Sequence, residues 1–118
     1  MGRRHEETMF SRASAIAQGC GDHDRRHYLL GAVGRRNDGV LVYSRNGTAL
    51  NRTPSIHAEA RLARKLTPNS VVFVVRILRM DGTFASAKPC RDCERVLRQA
   101  GVRRVYYTIA NGWSYIDL

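Results

Sequence analysis

Lysine is nearly missing from this chain. Lys65 and Lys88 are the only two, so the formal net charge of +10 rests on arginine. Arginine's planar fork suits phosphate and base stacking, which points to an anionic partner such as a nucleotide or a nucleic acid. The arginines fall in scattered pairs (Arg3-Arg4, Arg25-Arg26, Arg35-Arg36, Arg103-Arg104) and not in the continuous block of a basic tail. Long apolar runs are also missing. Nothing approaches the roughly 20 residues needed to cross a bilayer, so no membrane association is expected. The opening MGRRHEETMF lacks the apolar core of a secretory signal, and Glu6 stands where a myristoylation motif wants Ser or Thr. Cysteine is scarce: three residues, an odd count, argue against a disulfide framework and for a reducing, cytoplasmic compartment. Internal repeats, linkers and low-complexity stretches are absent. A length of 118 residues with a 43% hydrophobic share is then read as one domain, 1–118, around one core.

Apolar residues Met9, Phe10, Ala13, Ile16 and Ala17 recur at three- and four-residue spacing and predict a helix from about His5 to Gly19. The polar stretch that follows holds Cys20, His23 and His27, which are read as loop residues because nothing nearby completes a four-ligand set. Two apolar runs, 28–34 and 40–43, flank Asn37-Asp38-Gly39 and predict a hairpin. Residues 44–54 have no period and read as a loop. A second helix, capped by Thr53 or Ser55, carries Ala60, Leu62, Ala63 and Leu66 until Thr67-Pro68 stops it. Val71 to Val75 is the unbroken run of a strand buried on both faces, and it should be central. A helix follows Lys88 and closes at Gly101, and a strand from Val102 to Ile109 comes next. Strand, helix and strand in that order predict a parallel pair with a right-handed crossover. Gly112 to Leu118 is expected to form a final edge strand.

The chemistry is concentrated in two short stretches. Pro89-Cys90-Arg91-Asp92-Cys93 enters a helix, and two thiols three residues apart at a helix start lie on one face, where they can grip one metal ion. His57 and Glu59, in the first turn of the preceding helix, add a nitrogen ligand and a carboxylate. Zinc in a catalytic site takes three protein ligands and keeps one position for water. His57, Cys90 and Cys93 make three, and Glu59 is placed to move protons to and from that water. Two positive helix ends near the metal favour its anionic ligands. H-x-E followed by P-C-x-x-C is also the signature of zinc-dependent nucleobase deaminases. A closed structural zinc knuckle would need neither the carboxylate nor the proline.

With these motifs the chain resembles the cytidine and deoxycytidylate deaminase family, from its first helix to its final strand. The resemblance implies an α/β fold, a three-layer sandwich whose central mixed sheet of about five strands is flanked by helices. It implies Zn2+ as cofactor and hydrolytic deamination of cytosine to uracil, with a zinc-bound hydroxide attacking C4 and Glu59 as proton shuttle. It also implies that Asn46 contacts the sugar of the substrate and that the Ala58 backbone holds the pyrimidine edge. Ser86 resembles the serine found ahead of the P-C pair in polynucleotide cytidine deaminases. Many relatives carry further helices that wall the pocket after the last strand, so the resemblance implies a homo-oligomer in which a neighbour completes the site.

Three functions follow. The first is a zinc hydrolase acting on a free nucleotide, CMP or dCMP, with Arg45, Arg52 and Arg91 as phosphate candidates. The second keeps the chemistry on a cytosine in single-stranded DNA or RNA, with bases stacked on aromatics such as Tyr43, Tyr106, Tyr107, Trp113 and Tyr115. The third is a zinc-stabilised nucleic-acid-binding protein without catalysis.

Overall fold

The computed structural model describes residues 2–18, 28–45, 62–78 and 82–118. Helix α1 spans Gly2–Gln18, and strands β1 (Tyr28–Arg35) and β2 (Leu41–Arg45) form the expected hairpin. Strand β3 runs Val71–Leu78, β4 is the two-residue Phe84–Ala85, helix α2 is Arg91–Gln99, and β5 (Arg104–Ile109) and β6 (Gly112–Asp117) close the chain. Leu62 and Ala63 keep helical backbone ahead of the turn before β3. The strands make one mixed sheet in the order β2-β1-β3-β5-β6, with β4 paired to β3. The pairing of β3 with β5 is parallel, Val71↔Arg104 to Val74↔Tyr107, and the other pairings are antiparallel.

The run Val71 to Val75 is buried along its whole length and central in the sheet, as its composition requires. Its alternate residues feed two cores. Val72 and Val74 pack with Ala32, Leu62, Leu97, Val105 and Tyr107 on the α2 face. Val71, Phe73, Val75 and Ile77 pack with Met9, Phe10, Ala13 and Ala17 of α1 on the other. The periodicity of α1 is thus the pattern of a helix laid on a sheet. On that face Phe73 stacks on Tyr106 at 4.7 Å and meets the edge of Phe10 at 5.6 Å. At the outer ladder Arg104 pairs with Asp117 at 2.6 Å and lies 4.1 Å over the Tyr115 ring, joining β5 to β6. Among the described residues no helix is long and apolar enough to cross a membrane.

Two glycines make close approaches that a side chain would block. Gly101 ends α2 with φ 91°, and its N–H bonds the Arg98 carbonyl while the Val102 N–H bonds that of Leu97, each at 3.1 Å. This double closure is the Schellman motif, and buried Val102 and Leu97 supply its apolar contact. Gly31 of β1 lies directly under α1: a Cβ there would stand 2.2 Å from the Ala13 carbonyl oxygen and 2.7 Å from the Ala17 nitrogen. Both obstacles are backbone, so neither can rotate away. Gly31→Ala is expected to destabilise the fold by about 3 kcal/mol through overpacking. Urea unfolding followed by circular dichroism measures this, and an unchanged midpoint would show that α1 does not sit on β1 as described.

Candidate active site

Parallel strands β3 and β5 stay paired for only four positions. Beyond Val74 the chain leaving β3 turns back, and β4 pairs antiparallel with β3 at Arg76↔Ala85 and Ile77↔Phe84. The opposite edge of β3 is occupied there by Leu29 and Leu30 of β1. Residues 84–87 therefore enter on the β5 side and part the two strands. Thr108 holds them in the gap. Its hydroxyl accepts from the Arg76 N–H at 3.1 Å and donates to the Ala85 carbonyl at 2.9 Å, and its carbonyl accepts from the Ala87 N–H at 2.9 Å. Thr108 is 1% exposed, so its own hydroxyl and carbonyl depend on these protein partners.

From this clasp the chain passes through buried Pro89 into the cysteine turn. Cys90 is the N-cap of α2, with extended backbone (φ −68°, ψ 167°), and its sulfur accepts from the Cys93 N–H at 3.4 Å. Its carbonyl accepts the first helical bond, from the Glu94 N–H at 2.9 Å. The thiol thus plays the part that Ser or Asp plays at other helix starts. Cys90 is exposed and Cys93 is buried. The hydrogen bond ties the Cys90 sulfur to the turn that carries Cys93, and two thiols at C-x-x-C are a donor set that a thiophilic ion such as zinc takes. Asp92 and Glu94 occupy the first turn and pair outward with Arg95 and Arg98, largely exposed contacts that add little stability.

Of the residues singled out by sequence, Cys90, Cys93 and Ser86 are thereby brought to the carboxyl end of the parallel pair. That is where open α/β sheets bind ligands. Ser86 is exposed, and its carbonyl accepts from Arg76 Nη1 at 3.4 Å. His57, Ala58, Glu59 and Asn46 lie outside the described residues, as do Cys20, His23, His27 and Arg52. Arg91 is exposed at the start of α2. Sequence reading missed Thr108 and Arg76. An arginine breaking the apolar run of β3 was a visible signal, whereas a threonine in a strand carries none, since β-branched residues are ordinary there.

An open mixed sheet with helices on both faces, and a P-C-x-x-C turn at the carboxyl end of its parallel strands, is the architecture of the cytidine-deaminase class. The fold is similar to the crystal structure of cytidine deaminase from Mycobacterium leprae, with a TM-score of 0.63 over 92% of this chain and 91% of that one, at 19% identity. A family model described as the cytidine and deoxycytidylate deaminase zinc-binding region matches residues 3–109, and the chain belongs to that family. No curated protein sequence matches it.

Thr108→Val keeps the shape and removes the hydroxyl, leaving the Arg76 N–H and the Ala85 carbonyl without that partner. A loss of about 2 to 3 kcal/mol is expected, with Thr108→Ser close to wild type. Equal denaturation midpoints for the Val variant and the wild type would show that the hydroxyl does not hold the segment.

Proposed function

We propose that this chain hydrolytically deaminates the cytosine of a free (deoxy)cytidine nucleotide to uracil. The observation that carries the reading is the thiol pair in the first turn of α2, at the carboxyl end of the β3–β5 pair, in a chain of the zinc-binding deaminase family. His57, Cys90 and Cys93 are the residues that would hold zinc, which when bound supplies Lewis-acid activation of water. Glu59 takes a proton from the attacking water and delivers it to the ring nitrogen. It then takes the second proton from the new C4 hydroxyl and passes it to the amine, the C4–N bond breaks, and ammonia leaves as the C4 carbonyl forms. One water is consumed and no redox partner is needed.

Substrate placement falls to the surrounding chain. Asn46 hydrogen-bonds the sugar, the Ala58 backbone meets the pyrimidine edge, and Ser86 borders the pocket beside the cysteine turn. Arg45, Arg52 and Arg91 are the phosphate candidates. The exposed position of Arg91, next to the N-cap cysteine, agrees with that role. The positive net charge supports an anionic substrate of either size, nucleotide or polynucleotide.

Glu59→Gln keeps the size of the side chain and removes its ability to take up a proton. Ammonia release is expected to fall by about 10²- to 10⁴-fold, the usual contribution of a general acid–base, with zinc content unchanged. Undiminished turnover would remove Glu59 from the mechanism, and an inactive wild type that retains zinc would favour the non-catalytic binding protein. Uracil formation from cytidine, CMP, dCMP and a single-stranded oligonucleotide separates the substrates. Turnover confined to the oligonucleotide would replace the nucleotide reading with the polynucleotide one.

A further inference from the structure

The amino ends of β3 and β5 lie at the other end of the sheet from the cysteine turn. Between Val71 and Arg76 are five strand steps, a separation of roughly 17 Å at about 3.3 Å per residue. At this far end is an open groove of about 420 Å³ lined by Arg35, Arg36, Asn37, Asn69, Val71 and Arg103, with Gly39 at the hairpin turn. Three arginines reach it from two distant parts of the chain, and among the described residues no acidic one lines it.

Its walls are fixed before any ligand arrives. The hairpin turn is closed by Gly39 N–H to Arg36 O and Arg36 N–H to Val40 O, both at 2.9 Å. The opposite wall is tied by Asn69 N–H to Gly101 O at 2.8 Å and by Arg103 N–H to Ser70 O at 3.0 Å. The Thr67 hydroxyl joins the walls by donating to Asn37 Oδ1 at 3.3 Å.

The three guanidinium groups differ in what holds them. Arg35 Nη1 meets the His5 ring nitrogen. Arg36 gives Nη2 to Asp38 at 2.9 Å, while its Nε–H is buried with no hydrogen-bond partner among the described residues. Arg103 is exposed, and among the described residues its side chain has no ion-pair partner. With Asp38 counted against Arg36, the groove keeps a surplus of two positive charges. A cation partly stripped of water, as Arg36 is, gains more from an anion than a solvated one. Forked donors on a preset wall match phosphate oxygens, and a groove of about 420 Å³ has room for more than one phosphate.

We propose that this groove binds linked phosphates, either the polyphosphate tail of a free ligand or successive phosphodiesters of a nucleic-acid backbone, at a site separate from the deamination centre. The test uses the full zinc-loaded chain, with inorganic triphosphate and single-stranded oligothymidylate as probes in isothermal titration. Neither probe carries cytosine. Arg36→Gln with Arg103→Gln should weaken binding by about tenfold or more, since two charge-assisted contacts are lost. For the oligonucleotide the slope of log K against log salt should flatten by roughly 1.4, two contacts at about 0.7 each. Turnover of the nucleotide substrate should be unchanged. Binding of triphosphate alone assigns the groove to a free polyphosphate, and binding of oligothymidylate alone assigns it to a backbone. No binding of either probe, or equal binding by variant and wild type, overturns the proposal. If the double variant does not fold, Arg103→Gln alone decides by the same criterion, because that side chain is exposed.

Discussion

Everything near the cysteine turn depends on one hydroxyl inserted where two parallel strands separate. A parallel pair that simply continued would leave no gap for another segment. By serving the backbones of β3 and of β4 at once, the Thr108 hydroxyl makes the separation a satisfied arrangement instead of a ladder defect. The consequence passes along the chain: segment 85–87 is fixed, Pro89 is buried, and Cys90 arrives with the extended backbone that an N-cap requires. The helix cap and the placing of two cysteines in one turn are then one event. The sulfur that caps the helix belongs to the first cysteine of the C-x-x-C turn.

The sheet divides labour between its two ends. Its carboxyl end carries an electron-rich pair of thiols, and its amino end carries guanidinium groups. The Schellman closure at Gly101 links them, since it returns the chain from α2 beside Pro68 and sets Asn69 and Arg103 in place. Helix α2 therefore has a sulfur cap at one end and delivers an arginine at the other. Asymmetry across the sheet is just as marked, with stacked aromatics under α1 and mainly aliphatic contacts, Tyr107 apart, under α2.

Much of this was legible in the sequence, for physical reasons. Helix α1, the hairpin, the buried strand β3, α2 and the parallel β5 all follow from periodicity and turn chemistry, because each buries a continuous face. The family signature could be read from five residues, since metal ligation restricts both residue type and spacing. Strand β4 could not be read: two residues have no period, and their conformation is set by the neighbours they part. Arg35, Arg36 and Arg103 looked like scattered pairs, because it takes both the antiparallel pairing of β1 with β3 and the parallel registration of β3 with β5 to bring positions so far apart to one groove. The placement of His57 and Glu59 remains a reading of spacing, outside the described residues.

Gly31 carries a different kind of information. Where side chains separate a helix from a sheet, the distance between them can adjust through rotamers, and the contact has give. Under α1 the main chains nearly touch at Gly31, so the spacing is set by the radii of backbone atoms. A contact of that kind cannot slacken by degrees. As temperature rises, the aliphatic face under α2 can loosen gradually, whereas α1 keeps its seat until it leaves as a unit, and the aromatic core beneath it is exposed in a single step.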